Sequence, residues 1–175
     1  MFNTRLKQQI STLQQQLCTQ QAIASALERS FASVHFDVAR RVVAANQNFL
    51  DTLGYRQLDD ILGQPHSLFC ASDDVASRDY AQFWAQLQRG EPFQGKVQRV
   101  TATGEVVWLE ATYSPIIDAA GQISGYVKFA TDITARVREA AHNRSVLQAL
   151  DRAMATIEFR PDGTIVGAND NFLRT

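Results

Sequence analysis

The chain has 175 residues, 45% of them hydrophobic and 20% charged, with a formal net charge of −1. Its 17 Lys and Arg residues are scattered, which excludes the clustered basic surface that nucleic-acid binding requires. No apolar stretch approaches the about 20 residues of a membrane span, and the polar N-terminus "MFNTRLKQQISTLQQQL" is unlike a secretory signal. Two cysteines, Cys18 and Cys70, lie in unrelated segments, as expected of a protein kept in a reducing cytoplasm.

Residues 1–30 predict an amphipathic helix. Leu6, Ile10, Leu13, Leu17, Ala24, Leu27 and Phe31 recur at alternating four- and three-residue steps, with Gln20 the polar member of the seam. A narrow seam on a Gln-rich helix favours a coiled coil, and hence a homodimer held by Leu6, Ile10, Leu13, Leu17 and Leu27, over a helix packed on its own domain.

Next, "FASVHFDVARRVVAANQNFL" at 31–50 aligns without a gap on "MATIEFRPDGTIVGANDNFL" at 154–173, an offset of 154 − 31 = 123. Between 27–52 and 150–175, 11 of 26 positions are identical. Each copy reads as two short alternating strands, turning in the second at Pro161-Asp162-Gly163. Helical spacing follows, with Asn46 and Asn169 at the N-caps. The period is that of a domain plus its connector. We therefore expect a complete unit over 31–134, a linker helix over 135–153, and the truncated start of a second unit over 154–175. The second hairpin's apolar residues Ile157, Phe159, Ile165 and Val166 are expected to be covered by the complete domain or by a neighbouring chain. His35, between Val34 and Phe36, is expected on the outer face.

Within the complete unit, Gly54 and Gly63-Gln64-Pro65 bracket a short helix. "SDDVASRDYAQFWAQLQRGEPF" predicts one longer helix, capped by Ser72 and ended by Gly90, with Val75, Tyr80, Phe83, Trp84 and Leu87 on one face. Three strands follow, "PFQGKVQRVTATGE", "EVVWLEATYSPII" and "ISGYVKFATDIT". Alternation places Val107, Leu109, Ala111 and Tyr113 on the core face of the second, and Val127 and Phe129 on that of the third. Trp108 falls on the outer face, where the N-terminal helix is its expected cover. A last helix, "DITARVREAAHNRSVLQALDRAM", carries a stripe of Val137, Ala140, Leu147, Leu150 and Met154.

This order of elements, with "AN-x-NFL-x-x-LGY", "ILGQ", "TGE-x-x-WLE", "SPIIDAAGQISGYV" and the terminal "TDIT", resembles PAS sensory domains over about residues 31–134. In detail it is similar to the tandem PAS domains of cytoplasmic methyl-accepting chemotaxis proteins of the biofilm-dispersion type, and to the PAS domain of aerotaxis transducers. The resemblance implies an α+β fold: a five-stranded antiparallel sheet with short helices and one longer helix on one face, preceded by the long N-terminal helix and followed by the linker helix. It implies a cytoplasmic signal-transduction module upstream of a separate signalling domain. Asp132, Ile133 and Thr134 would couple sheet to linker, and Val137, Ala140 and Leu147 would form the output seam.

PAS domains can hold haem, flavin or small metabolites, and the resemblance does not choose between haem and FAD. His66, Trp84, Phe93 and Tyr113 are the candidate cofactor-contacting residues. His66 lies on the side from which haem-binding relatives supply a ligand. Phe93, in "PFQG", stands where aerotaxis relatives use a Trp to hold flavin. Cys70 reads as a buried small hydrophobe. There is no metal-ligand spacing, nucleophilic triad or phosphate-cradling loop, so no enzyme is expected. A PAS regulatory domain of a diguanylate cyclase or histidine kinase, and a ligand-free dimerisation scaffold, are the alternatives.

Overall fold

Residues 2–30, rich in Gln, Leu and Ala and free of Pro and Gly, form helix α1 (Phe2–Ser30). The computed structural model describes residues 2–174, with side chains from residue 6. The seam residues Leu6, Ile10, Leu13, Leu17 and Leu27 are all exposed on the single chain. The chain divides into two compact units, one ending at Ile133 and the other beginning at Thr134.

The first unit continues with β1 (Ala32–Phe36), β2 (Val42–Ala45), α2 (Gln47–Leu53), two 3₁₀ turns (Leu58–Asp60 and His66–Phe69), α3 (Ser72–Val75), α4 (Arg78–Gln88), β3 (Phe93–Val100), β4 (Val106–Ile117) and β5 (Ile123–Asp132). The sheet has the order β2-β1-β5-β4-β3, antiparallel throughout. Its inner face meets Phe49, Leu50 and Leu53 of α2, Ile61, Phe69, and Trp84 and Leu87 of α4 in one apolar core.

Two expectations within this unit are corrected. The predicted single helix from Ser72 is broken at Ala76-Ser77. The Ser77 hydroxyl accepts the Tyr80 N–H at 3.1 Å and starts α4 anew, because a serine side chain competes with the helical ladder for backbone donors. Ser72 is the first residue of the short α3.

The inner face of β5 is Tyr126, Lys128 and Ala130, all buried, with Val127 and Phe129 turned outward and only partly covered. Hydropathy favours the Val/Phe set, but register decides. Tyr113 pairs with Lys128 and Ala111 with Ala130, and directly opposed residues share a face. On the outer face, Phe129 meets Phe31 edge-on at 6.4 Å. Phe31, just after α1, thus covers Phe129, and Trp108 lines a cleft along the β3 edge. Gly125 allows β1 to approach β5 closely, since a Cβ there would stand 2.5 Å from the Phe36 carbonyl oxygen.

Asn46 joins three elements. Its Oδ1 accepts from Phe49 N–H and Ser33 N–H, both at 2.9 Å. Its Nδ2 donates to the Glu28 and Phe31 carbonyls at 2.7 Å. One amide thus caps the start of α2, holds β1, and satisfies a carbonyl left open at the end of α1. Nδ2 of Asn48 adds bonds to the Arg29 and Phe31 carbonyls at 3.1 and 3.2 Å.

The second unit comprises α5 (Thr134–Ala153), β6 (Ile157–Phe159), β7 (Ile165–Ala168) and α6 (Asp170–Leu173). It rebuilds the same junction 123 residues later. Asn169 Oδ1 accepts from Phe172 and Thr156 N–H at 3.0 and 2.9 Å, and its Nδ2 donates to the Asp151 and Met154 carbonyls. Asn171 repeats the role of Asn48 on the Arg152 carbonyl at 2.9 Å. Phe159, Ile165 and Val166 are exposed.

Candidate functional site

Strand alternation and the short turn after Pro65 place a set of polar groups inside the first unit. His66 opens the 3₁₀ turn and is 1% exposed. Its Nδ1 is 3.1 Å from the Tyr80 hydroxyl on α4, and its Nε2 is 3.1 Å from the Tyr113 hydroxyl on β4. The Cys70 sulfur is 3.7 Å from the same Nδ1. Arg99, on the inner face of β3 with Phe93 and Val97, donates from Nη2 to the Tyr113 hydroxyl at 3.0 Å. Lys128 on β5 is 2% exposed, its Nζ 5.2 Å from the centre of the Tyr113 ring and 5.8 Å from that of Phe49.

A third cation arrives from the β1–β2 turn. Arg40 holds a left-handed φ of 64° where the second copy has Gly163 at 87°, a conformation that costs a side-chain-bearing residue about 1–2 kcal/mol. This turn sets the Arg40 guanidinium 4.7 Å from the centre of the Trp84 ring, and a cation over indole recovers about 1 kcal/mol or more.

Burial first, and then the neighbouring charges, set the protonation of the cluster. Burial, reinforced by Arg99, Lys128 and Arg40, holds His66 well below the usual imidazole value, so the ring is neutral. Burial, with Arg99 adding to it, holds the Lys128 amine well below its usual value. Burial pushes the Cys70 thiol up, so it is not an activated nucleophile. No group of three or more His, Cys, Asp or Glu suited to a metal occurs among the described residues.

Around the polar groups stands an aromatic cage. His66 meets Trp84 at 5.2 Å and Phe36 at 5.3 Å. Phe83 meets Phe93 at 5.0 Å and Tyr113 at 4.8 Å. Compared with known families, the described profile of the PAS fold matches residues 42–130, about half the chain. The chain belongs to the PAS family.

Among relatives of this PAS chain, biofilm dispersion protein BdlA of Pseudomonas aeruginosa is 48% identical over 151 residues, covering 86% of this chain and 36% of that protein. The aerotaxis receptor of Escherichia coli is 32% identical over 98 residues, covering 56% of this chain and 19% of the receptor. The chain thus spans little more than a third of the one and a fifth of the other. A solved PAS domain from Colwellia psychrerythraea superposes with a TM-score of 0.60 at 19% identity, covering 67% of this chain and 98% of that one. At that identity the likeness shows the fold.

In the PAS core, the four candidates His66, Trp84, Phe93 and Tyr113 come together in one cluster, His66 and Tyr113 by a direct hydrogen bond. His35 is half-buried on the outer face, 3.9 Å from a Glu28 oxygen and away from the cluster. Arg40, Tyr80, Arg99 and Lys128 were not picked out from sequence as site residues. Arg99 is in phase with Phe93 and Val97 on β3, and Lys128 lies opposite Tyr113 in the β4–β5 pairing. For haem the fit is poor as the core is packed, because both nitrogens of His66 are engaged by tyrosine hydroxyls and none is left for iron.

Asp132 ends β5, and Ile133 and Thr134 are buried. The Ile133 N–H donates to the Trp108 carbonyl at 2.8 Å. No helix among the described residues is long and apolar enough to cross a membrane.

Proposed function

We propose that this PAS unit is the sensory part of a chemotaxis-type receptor, that it dimerises through α1, and that it passes a change in its core through β5 into α5. The observation that supports the relay is continuity along one strand. β5 holds Lys128 inside the buried cluster and continues to Asp132, the Ile133 N–H anchors the strand end on β4, and α5 begins at Thr134. A shift at Lys128 therefore acts on the first turn of α5 through a short, hydrogen-bonded stretch of backbone. Asp132, Ile133 and Thr134 form that coupling, and Val137, Ala140 and Leu147 form the output face. The output domain belongs to the rest of such a receptor, as in the longer relatives.

The test is hydrogen exchange across α5 in the wild type and in Lys128→Met, which keeps the side-chain length and removes the amine. The relay predicts altered exchange in the first two turns of α5; protection identical in the two proteins overturns it. A second reading, a ligand-free dimerisation scaffold, is favoured by one observation: Trp84, Tyr113, Phe36, Phe49 and His66 are fully buried, so side chains fill the core. The absorbance spectrum of the purified protein separates haem and flavin from both an uncoloured ligand and the scaffold.

A further inference from the structure

We propose that Arg99 is the anchor of a binding site for a monocarboxylate with an apolar, ring-sized body. Arg99 is 7% exposed. Nη2 donates to the Tyr113 hydroxyl and Nη1 to the Gln98 carbonyl, but Nε is buried with no acceptor among the described residues. Its guanidinium makes no ion pair among them either. An unfilled N–H on a buried charge is costly, and a carboxylate is the partner whose geometry suits a guanidinium fork.

Access and shape agree. Arg99 lines a cleft of about 410 Å³ along the β3 edge, within the range of small-molecule sites. Tyr80, Phe83 and Phe93 contribute aromatic walls, and Asp74 and Asp79 also line it. Aromatic walls suit a ring, and the two carboxylates, which oppose every anion, oppose multiply charged phosphates and polycarboxylates more strongly than a singly charged carboxylate. Lys128 holds its Nζ 5.2 Å from the centre of the Tyr113 ring, and the Arg99–Tyr113–His66–Tyr80 hydrogen bonds link the cleft to the core. As the input of a sensor, this site rests on the sensory reading above.

The experiment is calorimetric titration of the full chain with benzoate and, separately, with inorganic phosphate, for the wild type, Arg99→Met and Arg99→Lys. Benzoate is expected to bind the wild type and to lose at least tenfold in affinity in both variants, with phosphate weaker than benzoate throughout. Arg99→Lys keeps a cation in place, so it remains informative if Arg99→Met fails to fold. Absence of benzoate binding, affinity unchanged in a folded variant, or a preference for phosphate overturns the proposal. Hydrogen exchange of α5 with and without benzoate separates the two ideas. Benzoate that binds through Arg99 without altering α5 defeats the relay and leaves the site standing. An α5 that responds to Lys128→Met in a protein that ignores benzoate does the reverse.

Discussion

His66 is held between two tyrosine hydroxyls with Arg99, Lys128 and Arg40 near enough to oppose its protonation. Its unfolded-state value is about 6.5, and its folded value lies well below that. Between the two, the unfolded chain takes up a proton that the folded one refuses. Stability contributed by the neutral ring is therefore complete above about pH 7 and falls as pH drops below about 6.5, by up to about 1.4 kcal/mol per pH unit. Urea unfolding of the wild type and His66→Phe from pH 7.5 to 5 should show a shallower decline for the variant. Parallel curves would mean that the ring takes up its proton in the fold as readily as in the unfolded chain.

At the scale of elements, Asn46 does the work that two separate caps do elsewhere. Its Oδ1 starts α2, while its Nδ2 closes α1 onto the hairpin. Replacing a helix N-cap by Ala costs about 1 kcal/mol, and each hydrogen bond lost besides it adds a similar amount. Asn46→Ala should therefore lower unfolding stability by about 2–3 kcal/mol. Asn46→Ser, which retains a capping oxygen and lacks the Nδ2 donors, should lose about half of that. No loss in Asn46→Ser beside a full loss in Asn46→Ala would show that the link to α1 contributes nothing. The same network at Asn169, on the end of α5, makes it a unit of construction used at both helix-to-hairpin junctions.

For the whole molecule, the unanswered surface is α1. Leu13 and Leu17 are 63% and 55% exposed, in line with Leu6, Ile10 and Leu27 along one seam. A second α1 would bury that seam as knobs into holes. Size-exclusion with light scattering should give a dimer for the full chain and a monomer once residues 1–25 are removed. A monomeric full chain would remove α1 as the dimer element. Leu147 and Leu150 of α5, and Met154 just after it, are likewise exposed.

Local signals carried much of this protein. Gln-rich heptads specified α1, the gapless repeat marked the two hairpins and their Asn caps, and turn glycines separated β3, β4 and β5. The terminal "TDIT" marked the end of the sheet. The site was half legible: His66, Trp84, Phe93 and Tyr113 were readable as aromatic or imidazole groups on core-facing positions. Arg99 and Lys128 were not, because a charged residue in an alternating strand reads as solvent-facing. Only the pairing of β4 with β5 turned Lys128 inward and Val127 and Phe129 outward. Hydropathy is a property of each side chain alone, whereas the face a strand buries is set by its neighbour's register. The break into two helices after Ser72, where the sequence pattern predicts one, was likewise settled by a single hydroxyl at Ser77.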